Sequence, residues 1–206
     1  MALVAAFGLL HAAVLSKTPP PAEWAWEEPL IDGYRCEALP GHPAATGRHY
    51  AHGPVRRFRL QPETGGSASM LTMASVHSRH HDGFHLDALL DTLPLDRVPA
   101  AEAQPLPFAS QPASTARLMR QGAVLELQTC VVPGVGAGVT LEELAALVEK
   151  QRVRGWRQSL KHVLGLQSNV QWECLLLTLE QPASPSAEAD ITGLAHLVME
   201  NLQRGQ

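Results

Sequence analysis

Several things are missing from this sequence, and each absence removes a class of function. There is no basic surplus. Lysine and arginine number 16 against 20 acidic residues, giving a formal net charge of -4 with the ten histidines neutral. That excludes a nucleic-acid binder driven by a basic surface. There is no CxxC pair among the three cysteines, Cys36, Cys130 and Cys174, so no zinc or dithiol motif of that spacing. There is no complete phosphate loop. Gly134, Gly136 and Gly138 alternate ahead of a helix, but neither GxxxxGK[ST] nor a full GxGxxG is present. No catalytic constellation emerges, so the chain reads as a non-enzyme with no cofactor, no catalytic residue and no metal ligand assigned.

What remains is globular in composition, with 45% hydrophobic and 17% charged residues. The first apolar run, Ala2 to Leu15, is broken only by His11. It falls short of the ~20 residues that span a bilayer as a helix. It fits the apolar core of a signal peptide or signal anchor over residues 1–18, although the usual preceding basic residues are missing. The competing reading is a buried first helix of a cytosolic domain. There is no second long apolar run. The expectation is an N-terminal apolar leader helix followed by one exported domain over residues 19–206.

The 16 prolines confine the regular elements. Trp24 and Trp26 lie in an acidic, proline-flanked stretch and share one side if it is extended. They read as core-edge side chains or as an aromatic platform for sugar or membrane. Gly47 to His52, Val55 to Gln61 and Ser69 to His77 read as strands, the last two joined by a Pro-Glu-Thr-Gly-Gly-Ser turn. Arg57 and Arg59 then share one face and Phe58 the other. The segment His77 to His85 holds His77, His80, His81, Asp82 and His85. Imidazoles at this density invite a metal-dependent hydrolase as the alternative reading. The simpler expectation is a polar loop entering a short helix, Phe84 to Leu90. Pro94 to Ser114, rich in proline, alanine and glutamine, reads as a loop.

The second half is more regular. Ala123 to Val132 reads as a strand ending at Pro133. Thr140-Leu-Glu-Glu has the form of a capping box, with Thr140 and Glu143 exchanging hydrogen bonds. Leu141, Leu144, Leu147 and Val148 follow at helical spacing. Trp156, Leu160, Val163 and Leu164 extend the stripe beyond Gly155. Lys150, Arg152, Arg154, Arg157 and Lys161 make this the most basic part of the chain. It reads as a solvated face or as a contact for an anionic surface. Val170 to Leu179 reads as a strand with Trp172, Cys174 and Leu176 on one side. A last helix runs from Ser186 to Gln203, with Ile191, Leu194, Leu197, Val198 and Leu202 as its core stripe. Strands come early, helices late, and no βαβ alternation appears. The fold class is therefore α+β, an antiparallel sheet with two C-terminal-half helices packed on it.

The cysteines leave two readings open: three buried thiols, or a Cys130–Cys174 bond between neighbouring strands. A bond needs Cα atoms about 4.4–6.8 Å apart. It would close a loop of ~44 residues, on the order of 3–4 kcal/mol in the chain-entropy view. Only an oxidising compartment permits it.

Taken in order, several short motifs form a pattern. They are Gly47-Arg48-His49-Tyr50 with Val55 to Leu60, the Cys130-Val-Val-Pro-Gly-x-Gly-x-Gly-Val-Thr turn and its capped helix. The leucine-rich Trp156 to Leu166 segment, Trp172-x-Cys174 and a proline-bounded last helix follow. From Cys36 to Leu202 this order resembles the cyanoexosortase system-associated proteins. The histidine segment and the Pro94 to Ser114 insertion depart from the pattern. The resemblance implies a membrane-anchored, outward-facing accessory protein at the inner membrane. Its partner would be a membrane-embedded exosortase, which processes proteins bearing a C-terminal sorting signal.

Overall fold

The computed structural model describes residues 29–46, 50–78, 103–108, 111–132, 134–151 and 173–204. The leader, Trp24 and Trp26, His80 to Leu90, Trp172 and the basic segment after Gln151 lie outside the described residues. The strands are β1 (Tyr34–His42), β2 (Ala45–Thr46), β3 (Tyr50–His52), β4 (Val55–Pro62) and β5 (Ser69–Ser78). They continue with β6 (Ala103–Phe108), β7 (Gln111–Gln121), β8 (Val124–Val132), β9 (Gly136–Gly138) and β10 (Glu173–Pro182). The helices are α1 (Leu141–Gln151) and α2 (Ala187–Arg204). Among the described residues the strands form one sheet in the order β1-β4-β5-β10-β8-β7-β6. Every pairing is antiparallel. The α+β expectation holds for this sheet and its two helices.

Alternation along the strands builds two cores. On one face Phe58, Leu60, Leu71, Met73, Leu127, Leu175, Leu177 and Leu179 pack with α2. The α2 stripe is Ile191, Leu194, Ala195, Val198 and Leu202, at the 3.6 period expected of a helix with one buried side. Leu197, expected in that stripe, is instead 37% exposed. The sheet curls round this helix. His196 meets the Phe108 ring of edge strand β6 edge-on at 5.0 Å. Five residues on, the Asn201 amide donates to the Leu30 carbonyl just before β1, the other edge, at 2.6 Å.

The opposite face carries a smaller core under α1. Tyr50, Val55, Ala74, Val76, Cys130, Val132, Cys174 and Leu176 pack against Leu144, Leu147 and Val148. Leu141, expected on the same helical face, lies in the first turn and is exposed. Arg57 and Arg59 belong to this sheet face and Phe58 to the other, as the alternation requires. The Cys130–Cys174 bond is present, with Cα atoms 5.7 Å apart. Register explains the placement. Cys130 lies opposite Leu176 and Cys174 is two residues away on the same strand face, a diagonal that brings both sulfurs to one side.

Three expectations change. Pro94 to Ser114 does not stay a loop: residues 103–108 and 111–114 belong to the β6–β7 hairpin. Its prolines are tolerated because Pro105 and Pro107 sit on an edge strand, where an N–H is dispensable. Strand β1 has no expected counterpart. Its sequence, broken by Pro40 and Gly41, alternates poorly, and pairing with β4 decides its conformation. The last strand reaches Pro182, three residues beyond its expected end.

After alkylation of the denatured, non-reduced protein, mass spectrometry is expected to find one alkylated cysteine, Cys36. Three alkylated cysteines would remove the bond.

Candidate functional site

The glycine loop ahead of α1 takes a different role from phosphate binding. Gly134 turns the chain with a φ of 69°, and Gly136 to Gly138 then pair with Val132 to Cys130 as strand β9. Its backbone is thus committed to a strand ladder. Gly138 also lets β9 approach α1: an added Cβ would stand 3.1 Å from the Glu143 Cβ and 3.3 Å from Leu144.

Glu143 is the hub of this corner. The Glu143 amide donates to the Thr140 hydroxyl at 3.2 Å, and the Thr140 amide donates back to the carboxylate at 3.0 Å. The capping box is therefore formed. The same carboxylate oxygen also accepts from the Val139 amide at 2.9 Å and from the Thr115 hydroxyl on β7 at 2.7 Å. One side chain thereby ties helix, β9 and sheet together. Burial pushes its pKa up, but the amides of Val139 and Thr140 and the hydroxyls of Thr115 and Thr140 favour the charged form. The net shift is downward.

Further along the strands, the same sheet face turns polar. Arg57 lies opposite Thr72, Thr72 opposite Thr178, Thr178 opposite Gln128, and Gln128 opposite Arg117. This row crosses five strands. Arg117 donates to the Gln128 carbonyl at 2.7 Å, and the Gln128 amide passes the chain to Glu126 at 2.8 Å. Gln121 donates to the other Glu126 oxygen at 3.3 Å. Glu126 and Gln128 are buried, so their hydrogen bonds act where solvent competes little. In the middle of the row the Thr178 hydroxyl and the Arg57 Nε are buried with no hydrogen-bond partner. The sequence signal for this row was the polar residues at alternate positions of otherwise apolar strands: Glu126 and Gln128 in β8, Thr178 and Glu180 in β10. The row offers hydrogen-bonding groups but no nucleophile paired with a base.

The histidine segment enters the described residues only at its first member. His77 is on β5, as the strand expected from Ser69 to His77 requires, opposite Glu173 on β10. Its Nδ1 stands 3.3 Å from the Glu173 carboxylate. That distance suits an ion pair when the ring is protonated, although the angle makes no hydrogen bond. Among the described residues no three His, Cys, Asp or Glu side chains converge to hold a metal ion. A shallow cavity of about 390 Å³ lies before β1, lined by Leu30, Ile31, Asp32, Tyr34, Cys36 and Glu63 among others. Among the described residues its lining holds no histidine.

Comparison with known protein families, with curated proteins and with solved structures finds no match.

Three substitutions are testable by denaturant unfolding. Gln128→Leu removes the buried amide that bridges Arg117 and Glu126 and is expected to cost about 1–3 kcal/mol. Thr178→Val removes a buried unpaired hydroxyl at constant shape, so it is expected to be neutral or stabilising. Glu143→Ala is expected to cost about 1–2 kcal/mol at neutral pH. Because the folded pKa is lowered, that contribution is complete above the ordinary value of 4.5. It disappears as pH falls through the folded value. The gap between wild type and Glu143→Ala should therefore narrow in acid; a gap independent of pH would show that the charge is not involved.

Proposed function

We propose that this chain is a non-enzymatic accessory protein of an exosortase-type protein-sorting system. In this reading its N-terminal segment anchors it at the inner membrane and the domain faces the periplasm. The observation that carries the reading is the Cys130–Cys174 bond, buried between two central strands. A bond of this kind belongs to an oxidising compartment, in line with the signal-like leader. The motifs that carry the resemblance support it as well. Cys130, the glycine turn, Thr140 and Glu143, Cys174 and the last helix are the parts that close the smaller core and cover the larger one. A family defined by such motifs would keep a shape rather than a reaction centre.

Co-purification of the membrane-extracted protein with a polytopic exosortase is the direct test. Deleting the gene is expected to alter the processing or surface display of proteins bearing a C-terminal sorting signal. Unchanged processing together with no co-purifying exosortase would overturn the proposal.

A further inference from the structure

The Cys130–Cys174 bond lies on one face of the sheet. Both cysteines are fully buried, and both belong to the smaller core under α1. In that core Leu144, Leu147 and Val148 come from the helix, and the strands and the turns beside β9 supply the rest. Among the described residues α1 is therefore the helix that covers the bond. Cys36 packs against the other core, across the sheet, so it is not placed to exchange with the bond.

The two helices are held unequally. α2 has 18 residues and buries Ile191, Leu194, Ala195, Val198, Met199 and Leu202. α1 has 11 residues and buries only Leu144, Leu147 and Val148 among the described core residues. A helix that short is marginal without its packing. Its polar tie to the sheet runs through the Glu143 carboxylate, which accepts from the Thr115 hydroxyl on β7 and from the Val139 amide beside β9. Elements with few buried apolar contacts open at a lower free energy than the whole fold.

We propose that α1 is a cover that opens locally and admits an external dithiol to the Cys130–Cys174 bond, with Glu143 as its clasp, while the sheet and α2 stay closed. The bond is then a thiol–disulfide exchange site, and its partner is a reducing dithiol on another molecule. One thiolate of that dithiol attacks a sulfur of the bond, forming a mixed disulfide and releasing the other cysteine as a thiolate. The second external thiolate then displaces the first. Two electrons pass to Cys130 and Cys174, which take up the two protons the dithiol gives up, and the external pair becomes the disulfide. Pairing of β8 with β10 explains why a dithiol is needed. It holds the two cysteines with Cα atoms 5.7 Å apart. The released thiolate therefore stays beside the mixed disulfide and re-forms the bond against a single thiol, whereas a second thiol on the attacking molecule competes with it.

The test uses the full-length oxidised protein with dithiothreitol as the probe, in urea concentrations below the unfolding transition. Reduction is quenched by alkylation and followed by mass spectrometry as one alkylated cysteine becomes three. Local opening exposes little surface, so the rate is expected to change little with urea. Glu143→Ala is expected to be reduced about tenfold faster than wild type. Val198→Ala, which loosens the larger core from α2, is expected to be reduced at the wild-type rate. Circular dichroism checks that both variants start folded. A wild-type rate that climbs with urea by the full slope of global unfolding would overturn the proposal without recourse to any variant. So would Glu143→Ala reduced no faster than wild type, or Val198→Ala accelerating in step with its lost stability.

Discussion

The structure depends on the insertion of β10 between β5 and β8. These strands come from distant parts of the chain, and β10 pairs with each over eight residues. Its alternation serves both faces. Leu175, Leu177 and Leu179 lie in the α2 core, while Cys174 and Leu176 lie in the α1 core. Among the described residues the β1–β4–β5 and β8–β7–β6 halves share no strand pairing without β10, and α2 would have no continuous surface to lie against. A strand apolar on both faces belongs at the centre of a sheet.

The α1 corner holds β10 from the other side. The bond from Cys174 to Cys130 joins it covalently to β8. The Glu143 carboxylate fixes the helix above that bond to β7 and β9. Gly138 suits this close approach, because an added Cβ would crowd the Glu143 and Leu144 side chains. Farther along the same face, the buried Arg117–Gln128–Glu126 chain replaces apolar packing. Such a network stabilises little unless every member is satisfied, but it penalises a slipped register strongly, because a shift of one residue would turn Gln128 to the apolar face. The face therefore combines an apolar, covalently tied end with a polar stretch that specifies alignment.

Much of this frame was legible in the sequence because it rests on local chemistry. The Thr140–Glu143 capping box depends on spacing alone. The alternation of Arg57, Phe58 and Arg59 needs only an extended chain. The apolar run through Leu175 to Leu179 states its own burial. The parts that were not legible depend on partners far away in the chain. Prolines at 105 and 107 read locally as a loop, yet β7 lends them a strand. Tyr34 to His42 carries no clear period, and its strand exists because β4 offers it an edge. The glycine alternation at 134, 136 and 138 is shared by phosphate loops and by tight strand–helix approaches, and only the ladder with β8 distinguishes them. The polar row was visible as individual polar residues, but its continuity is a property of register across five strands.

The function proposed follows from this division. A frame held by packing, a buried bond and a cap suits a protein that positions partners. The claim underneath is that β10 is the element on which both cores close. Native-state hydrogen exchange tests it directly, because amides held by central elements exchange only through global opening. The account predicts that the amides of Leu175 to Leu179 exchange slowest in the oxidised protein, with the free energy of global unfolding. Amides of β10 exchanging as fast as those of edge strand β1 would contradict it.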